Sequence, residues 1–112
     1  MSKSPDVLVG HIFGSISSIE SFLKDTAKEK FFASEEKQAA VVRMLEIIGE
    51  AVKGLPEDFK LANPNTPWRD IAGMRDNLIH EYFIVDLEEV WKTVTKDLPE
   101  LKKQLLAMPM NR

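Results

Sequence analysis

The chain has 112 residues, of which 44% are hydrophobic and 29% charged, and its formal net charge is −3 at pH 7. This length predicts a single domain over residues 1–112, with one core that folds alone. The net negative charge argues against a protein that coats nucleic acid through bulk electrostatics, so any RNA contact needs a local basic patch. Cysteine is absent, which excludes disulfides, thiol nucleophiles and thiolate metal ligands.

The sequence does not have the pattern of an exported or membrane-inserted protein. The amino-terminal Met-Ser-Lys-Ser-Pro is not followed directly by the apolar run of a signal peptide. No apolar stretch approaches the ~20 residues that a helix needs to cross a bilayer. We therefore expect a cytoplasmic protein without a membrane partner.

Two long helices are predicted in the first half of the chain. The first begins at the cap residue Ser4 and extends to about Thr26, and the second begins after Ser34. Within the first helix, Gly10 and Gly14 predict either a small loss of helix stability or a close approach by a neighbour. Apolar stripes at helical spacing are formed by Leu8, Ile12, Ile16, Ile19 and Leu23 in the first helix and by Val41, Leu45, Ile48 and Val52 in the second.

The second half of the chain predicts at least two further helices. The third begins at Thr66, and we expect it to stop near Phe83 because the residues there are β-branched and aromatic. Asp86 begins the fourth with a capping-box pattern, and Pro99 should break or kink that helix. Four or five helices with short connections predict an all-α fold, an antiparallel four- to five-helix bundle.

The third predicted helix contains the densest group of chemically useful side chains, RDNLIHEYF at residues 75–83. At about 100° per residue, Asp76 and His80 share a helix face, so the carboxylate is placed to orient the imidazole. Arg75 lies roughly 140° from His80 on a continuous helix, so these two side chains cannot converge on one atom. Either the helix unwinds near His80, or a second copy of the chain supplies one of the two residues in a twofold dimer.

Such side chains fit cleavage of an RNA phosphodiester. A neutral His takes the proton from a ribose 2′-OH, and an Arg guanidinium clamps the phosphate. Arg43 and Arg69, in or beside the neighbouring helices, are candidates for the local basic patch that contacts RNA. Charged residues between apolar positions are, however, usually the solvated face of a helix, and this alternative stays open. We apply that interpretation to Glu46 and Glu50, which are expected to be surface acids.

No metal or other cofactor is predicted. His11 and His80 fall on different predicted helices. The Glu-x-x-His spacing of di-iron bundles is missing at His80, because Asn77 stands where the Glu would be.

This stretch and its surroundings resemble the HepT-like toxins of the HEPN superfamily. The resemblance covers about residues 7–106 and is carried by AVVRMLEIIGEAVKGLP, TPWRDIAGMRDN and RDNLIHEYFIVDLEEVWKTVTKDLPELKKQL. The hallmark of this branch is written R-x4-H-x-Y, and it is matched by Arg75, His80 and Tyr82, with Asp76 at the polar position after the Arg. One departure is Met44, where related sequences often carry Asn.

The resemblance implies a bundle of HEPN type that forms a homodimer or a higher oligomer. It implies a metal-independent endoribonuclease with Arg75 and His80 as the catalytic pair and Asp76 as the supporting residue. It further implies the toxin of a type VII-like toxin–antitoxin pair, whose partner is an MntA-like minimal nucleotidyltransferase antitoxin. That antitoxin would AMPylate Tyr82, adding bulk and negative charge beside Arg75.

Two non-enzymatic alternatives remain at this point. The Met44 departure keeps open a non-catalytic HEPN module that binds nucleotide, RNA or a partner protein. A purely structural helical adaptor is the other, and it would not need Arg75, His80 or Tyr82 for its interactions.

Overall fold

The computed structural model describes residues 4–81 and 84–108, without the side chains of residues 80 and 81. Strands β1 (Ile79–Glu81) and β2 (Ile84–Val85) form a short hairpin, and a π-helical segment covers Thr93–Asp97. The remaining elements are the helices α1 (Pro5–Phe22), α2 (Lys28–Phe32), α3 (Glu35–Lys53), α4 (Glu57–Ala62), α5 (Trp68–Ala72), α6 (Met74–Leu78), α7 (Leu87–Lys92) and α8 (Leu98–Ala107). The predicted all-α class is confirmed.

Helices α1 and α3 pack against each other over most of their lengths and form the centre of the core. Both predicted amino-terminal caps are present: the Ser4 hydroxyl accepts a hydrogen bond from the Val7 amide, and the Ser34 hydroxyl accepts one from the Lys37 amide. The apolar stripes are buried as predicted, apart from half-buried Leu23 beyond the end of α1. Because burial of these stripes is the main driving force for folding, the α1–α3 pair is the scaffold for the other elements.

The predicted end of the first helix near Thr26 is wrong, since α1 ends at Phe22 and a separate helix, α2, follows. Asp25 has a left-handed backbone with φ 56°, which a right-handed helix continuing to Thr26 could not contain. In α2, Phe31 is fully buried, and its ring centroid lies 5.4 Å from that of Trp91. The Gln38 side chain donates hydrogen bonds to the carbonyls of Phe31 and Phe32 and so satisfies the end of the short helix.

The predicted third helix is divided into α5 and α6 at Gly73. Thr66 is buried, and its side chain does not cap this helix, because α5 begins at Trp68. The α5–α6 segment lies along α3, where a Cβ atom added at Gly49 would be 3.5 Å from the carbonyl oxygens of Ile71 and Ala72. A side-chain methyl at Gly49 would therefore be in ordinary van der Waals contact with the backbone of α5.

The predicted continuation of the helix to Phe83 is also wrong. Helix α6 ends at Leu78, and Ile79 has an extended backbone with φ −121° and ψ 102°. The chain then pairs antiparallel in β1 and β2, with Ile79 opposite Val85, and the Asp86 amide donates to the Leu78 carbonyl at 2.8 Å. The β-branched residues at both sides of the hairpin favour this pairing, and half-buried Ile79 and Val85 pack against the core.

Pro99 does not end the last helix. The backbone stays helical from α7 through the π-helical segment into α8, with φ −58° and ψ −49° at Thr93 and φ −67° and ψ −41° at Leu98. A proline cannot donate the usual helical hydrogen bond, and the wider π-helical turn directly before it accommodates that loss. In place of the predicted break or kink, the helix changes from α-helical to π-helical geometry and back before Pro99.

No helix in the described part of the chain combines the length and the apolar character required to cross a membrane.

Replacing Gly10 or Gly14 in α1 by Ala should stabilise the protein. A Cβ atom built at either position has no atom within 4 Å in the described structure, so the close approach considered above is not made within the chain. Alanine removes the entropic cost of glycine in a helix, so each variant should gain about 0.5–1 kcal/mol in unfolding free energy. Chemical denaturation followed by circular dichroism measures the change. Phe31→Ala is the opposite control and should lose about 3–5 kcal/mol. Unchanged or reduced stability of the glycine variants would contradict the prediction.

Candidate functional site

The candidate site lies where the α5–α6 segment passes along α3. Contacts between the two run in opposite chain directions: Glu46 of α3 meets Arg75, Gly49 meets Ala72, and Lys53 lines the same groove as Arg69. This arrangement places Arg75 on the surface of the bundle, next to a buried helix. Met74 and Leu78, on the inner side of α6, are buried and fix which face of α6 points outward.

Arg75 is held by an ion pair with Glu46. Its Nε atom donates a hydrogen bond to Oε2 of Glu46 at 2.8 Å, and the two side chains are 49% and 28% exposed. The hydrogen bond and the charge of Glu46 raise the pKa of Arg75 above its ordinary value, and the charges of Asp76 and Glu50 add to this effect. The guanidinium is therefore positively charged throughout the working pH range and remains accessible to a ligand.

The geometry predicted for Asp76 and His80 does not hold, because its premise was a continuous helix. With α6 ending at Leu78, Asp76 lies on the helix and the backbone of His80 lies in β1. Their predicted contact, and the distance from Arg75 to the imidazole, involve the His80 side chain and lie outside the described residues. The 140° separation of Arg75 and His80 applied only to a continuous helix, so it no longer keeps the two residues apart. The chain leaves the helix before His80, which was one of the two arrangements that could bring them together.

Asp76 is exposed, and its backbone amide donates to the Gly73 carbonyl at 3.1 Å. Its side chain contributes negative charge near Arg75. Tyr82, the predicted modification site, lies outside the described residues.

Arg43 and Arg69 are both exposed, but they line different concavities. Arg43 faces an opening of about 250 Å³ between α1 and α3, together with His11 and Glu50. Arg69 faces a groove of about 470 Å³ that also contains Lys53 and Lys60. The structure therefore does not join the two arginines in one concavity.

The residue that sequence reasoning missed is Glu46. It was interpreted as a surface acid, whereas it is the hydrogen-bond partner of Arg75 across the α3–α6 contact. The pair is separated by 29 positions, so helix periodicity could not reveal it. To place these residues opposite each other, one must know that α3 and the α5–α6 segment pack in antiparallel directions.

Met44 is half-buried and packs against the hydrophobic core. The Met44 side chain therefore has a packing role in this structure. Among the side chains of residues 4–79 and 84–108, no three imidazole or carboxylate groups converge in a way that could hold a metal ion.

Comparisons with known proteins identify the family of the chain. The family model described as "Ribonuclease HepT-like" matches residues 12–108, which include α3, the α5–α6 segment and the hairpin. No solved structure matches the chain with statistical significance.

Several curated relatives share nearly half of their aligned residues with the chain. A protein of Thermococcus cleftensis named "Probable ribonuclease HepT" is 47% identical over 102 residues, which are 91% of this chain and 93% of that protein. "Putative RNase TTE0752" of Caldanaerobacter subterraneus subsp. tengcongensis is 44% identical over 92% of both chains. "Gamma-glutamylcyclotransferase and putative RNase MJ0434" of Methanocaldococcus jannaschii is 45% identical over 95% of this chain, which spans only 48% of that protein.

The matched region, the identity over nearly the whole chain and the all-α bundle agree with one another. The chain belongs to the HepT-like ribonuclease family of the HEPN superfamily.

Proposed function

We propose that this chain is a metal-independent endoribonuclease that acts as a toxin, with Arg75 and His80 as its catalytic pair. The observation that carries the proposal is the arginine: Arg75 is half-exposed, permanently charged and anchored by Glu46, five positions before His80. The match to the HepT-like family over residues 12–108 supports the choice of RNA as substrate.

In the proposed reaction, Arg75 binds the scissile phosphate. Guanidinium groups bind phosphate oxygens through charge-assisted hydrogen bonds, and those bonds strengthen as negative charge develops on the phosphorus oxygens in the transition state. Arg75 has donors on Nη1 and Nη2 in addition to the Nε–H that Glu46 accepts. Substrate binding therefore need not break the ion pair.

His80 is the proposed general base. Its imidazole takes the proton of a ribose 2′-OH, the 2′ oxygen bonds to phosphorus, and the bond from phosphorus to the 5′ oxygen breaks. A protonated His, or solvent, gives a proton to the departing 5′ oxygen. The products are a 2′,3′-cyclic phosphate and a 5′-hydroxyl end, and Asp76 is the proposed supporting group near this pair.

The proposed path of the RNA uses exposed basic residues of two separate concavities. Arg43 lines one, and Arg69 with Lys53 and Lys60 lines the other. Because the chain is acidic overall, these local positions supply the attraction that its net charge does not.

We further propose a homodimer and an antitoxin partner. Both rest on the family resemblance: two motif copies meet at the subunit interface, and an MntA-like nucleotidyltransferase transfers AMP from ATP to the Tyr82 hydroxyl, releasing pyrophosphate. A phosphodiester attached close to Arg75 would compete with RNA for the guanidinium.

Arg75→Ala and His80→Ala should each reduce RNA cleavage by at least about a hundredfold, since each removes a group that acts on the reacting atoms. The measurement is cleavage of a short labelled RNA by the purified protein in the presence of EDTA, which should not inhibit. Growth arrest on expression in cells should disappear in the same variants.

Lys103→Ala is the matched control, because it removes an exposed positive charge on α8 and should cleave like the wild type. An oligonucleotide with a 2′-deoxyribose at the scissile position should stay intact. RNA binding without cleavage by the wild type would contradict the enzyme and favour the non-catalytic HEPN module.

Co-expression with a minimal nucleotidyltransferase encoded beside the gene should add one or more adenylyl units to the toxin and abolish its cleavage activity. The increment, measured by intact-protein mass spectrometry, should vanish in Tyr82→Phe, which lacks the accepting hydroxyl. Persistence of the increment in Tyr82→Phe would assign the modification to another residue.

Mixing Arg75→Ala chains with His80→Ala chains tests the dimer. If each site combines residues of two subunits, mixed dimers contain one site with both intact residues and should recover part of the wild-type cleavage rate. Mass photometry would establish the oligomeric state of the mixture. If the mixture is dimeric yet inactive, each subunit supplies its own Arg75 and His80; a monomeric wild type would exclude the shared site.

A further inference from the structure

The ion pair between Arg75 and Glu46 uses one particular edge of the guanidinium. Only Nε is hydrogen-bonded to Glu46, at 2.8 Å. A guanidinium is planar and rigid, so fixing Nε also fixes the direction in which Nη1 and Nη2 present their donors. A carboxylate placed at Nε can thereby orient an arginine without occupying the donors that a phosphate needs.

Glu46 and Arg75 lie on helices of unequal length and rigidity. Glu46 belongs to the 19-residue helix α3, and its neighbours Leu45 and Ile48 are buried in the core. Arg75 belongs to the five-residue helix α6, which is bounded by Gly73 and by the hairpin. The short helix alone cannot hold a long, half-exposed side chain in one rotamer, whereas a contact to α3 ties it to the core.

Charge alone predicts a different role for the same residue. Glu46, Glu50 and Asp76 all lower the positive potential around Arg75 and oppose the approach of an anionic RNA. If that were their only effect, removal of any one of these carboxylates would improve RNA binding and leave the rate of the bound substrate unchanged. The hydrogen bond distinguishes Glu46 from the other two.

We propose that Glu46 is a positioning residue, which holds the Arg75 guanidinium through Nε so that its Nη donors face the scissile phosphate. This inference rests on the proposed ribonuclease function and adds a residue from α3 to its site. Glu46 acts through Arg75 and does not touch the reacting atoms.

Three variants separate position from charge. Glu46→Ala removes both the acceptor and the negative charge, whereas Glu46→Gln removes the charge but keeps an oxygen that can accept from Nε. Glu50→Gln is the matched control: it removes a carboxylate one turn further along the same helix, where the partner is Lys53 at 3.5 Å. Steady-state cleavage of a short RNA gives kcat and KM for each.

We expect Glu46→Ala to lower kcat by about tenfold to a hundredfold, since a misplaced catalytic group costs that much. Its KM should change no more than that of Glu50→Gln, because both lose one nearby negative charge. Glu46→Gln should restore kcat to within a few-fold of the wild type, and Glu50→Gln should retain the wild-type kcat.

Nuclear magnetic resonance of the arginine Nε–H groups supplies a readout that does not depend on cleavage. The chain has only four arginines, so the Arg75 signal can be assigned from its loss in Arg75→Lys. It should be shifted and protected from solvent exchange in the wild type and in Glu46→Gln, and should resemble a free arginine in Glu46→Ala.

Each result decides between the alternatives. Wild-type kcat in Glu46→Ala, in a protein that cleaves RNA, would overturn the positioning role and leave the proposed function intact. Equal loss of kcat in Glu46→Ala and Glu46→Gln would also overturn it, because the acceptor would then not matter. A wild type that does not cleave RNA would overturn the proposed function itself, and the positioning role with it.

Discussion

Burial of α3 is the constraint on which the rest of this structure depends. One side of the helix packs against α1 through a continuous apolar stripe, and the α5–α6 segment lies along it as well. Gly49 of α3 faces the backbone carbonyls of Ile71 and Ala72 at this contact. The same helix then presents Glu46 to Arg75, so the position of the candidate catalytic arginine follows from how the core is packed.

The site itself lies where regular structure ends. Helix α6 is only five residues long, and the chain leaves it for a two-stranded hairpin directly before His80. A short helix flanked by Gly73 and extended backbone makes few internal hydrogen bonds, so its stability comes from the buried residues Met74 and Leu78. Functional side chains on such an element need support from outside it, which Glu46 provides for Arg75.

The electrostatic potential at this site is set by individual charged residues and not by the net charge of the protein. The protein carries a net negative charge, and the charges of three carboxylates act on Arg75, yet exposed basic residues line two separate concavities of the surface. Under the proposed ribonuclease function, Arg43 and Arg69 are candidate contacts for an extended ligand with repeated phosphates.

The sequence by itself determined the all-α class, the two main buried stripes and the beginnings of α1, α3 and α7, because helix periodicity and capping are local properties. Its resemblance to the HepT-like toxins also predicted Arg75, His80 and Tyr82 as the site residues. Only the tertiary structure decided that α2 forms, since Phe31 needs a partner in Trp91, and that α6 ends at Leu78, since the following residues pair across a hairpin. The Arg75–Glu46 pair likewise required the fold, because it joins residues 29 positions apart on separate helices. Contacts of that kind depend on how helices pack and not on local sequence.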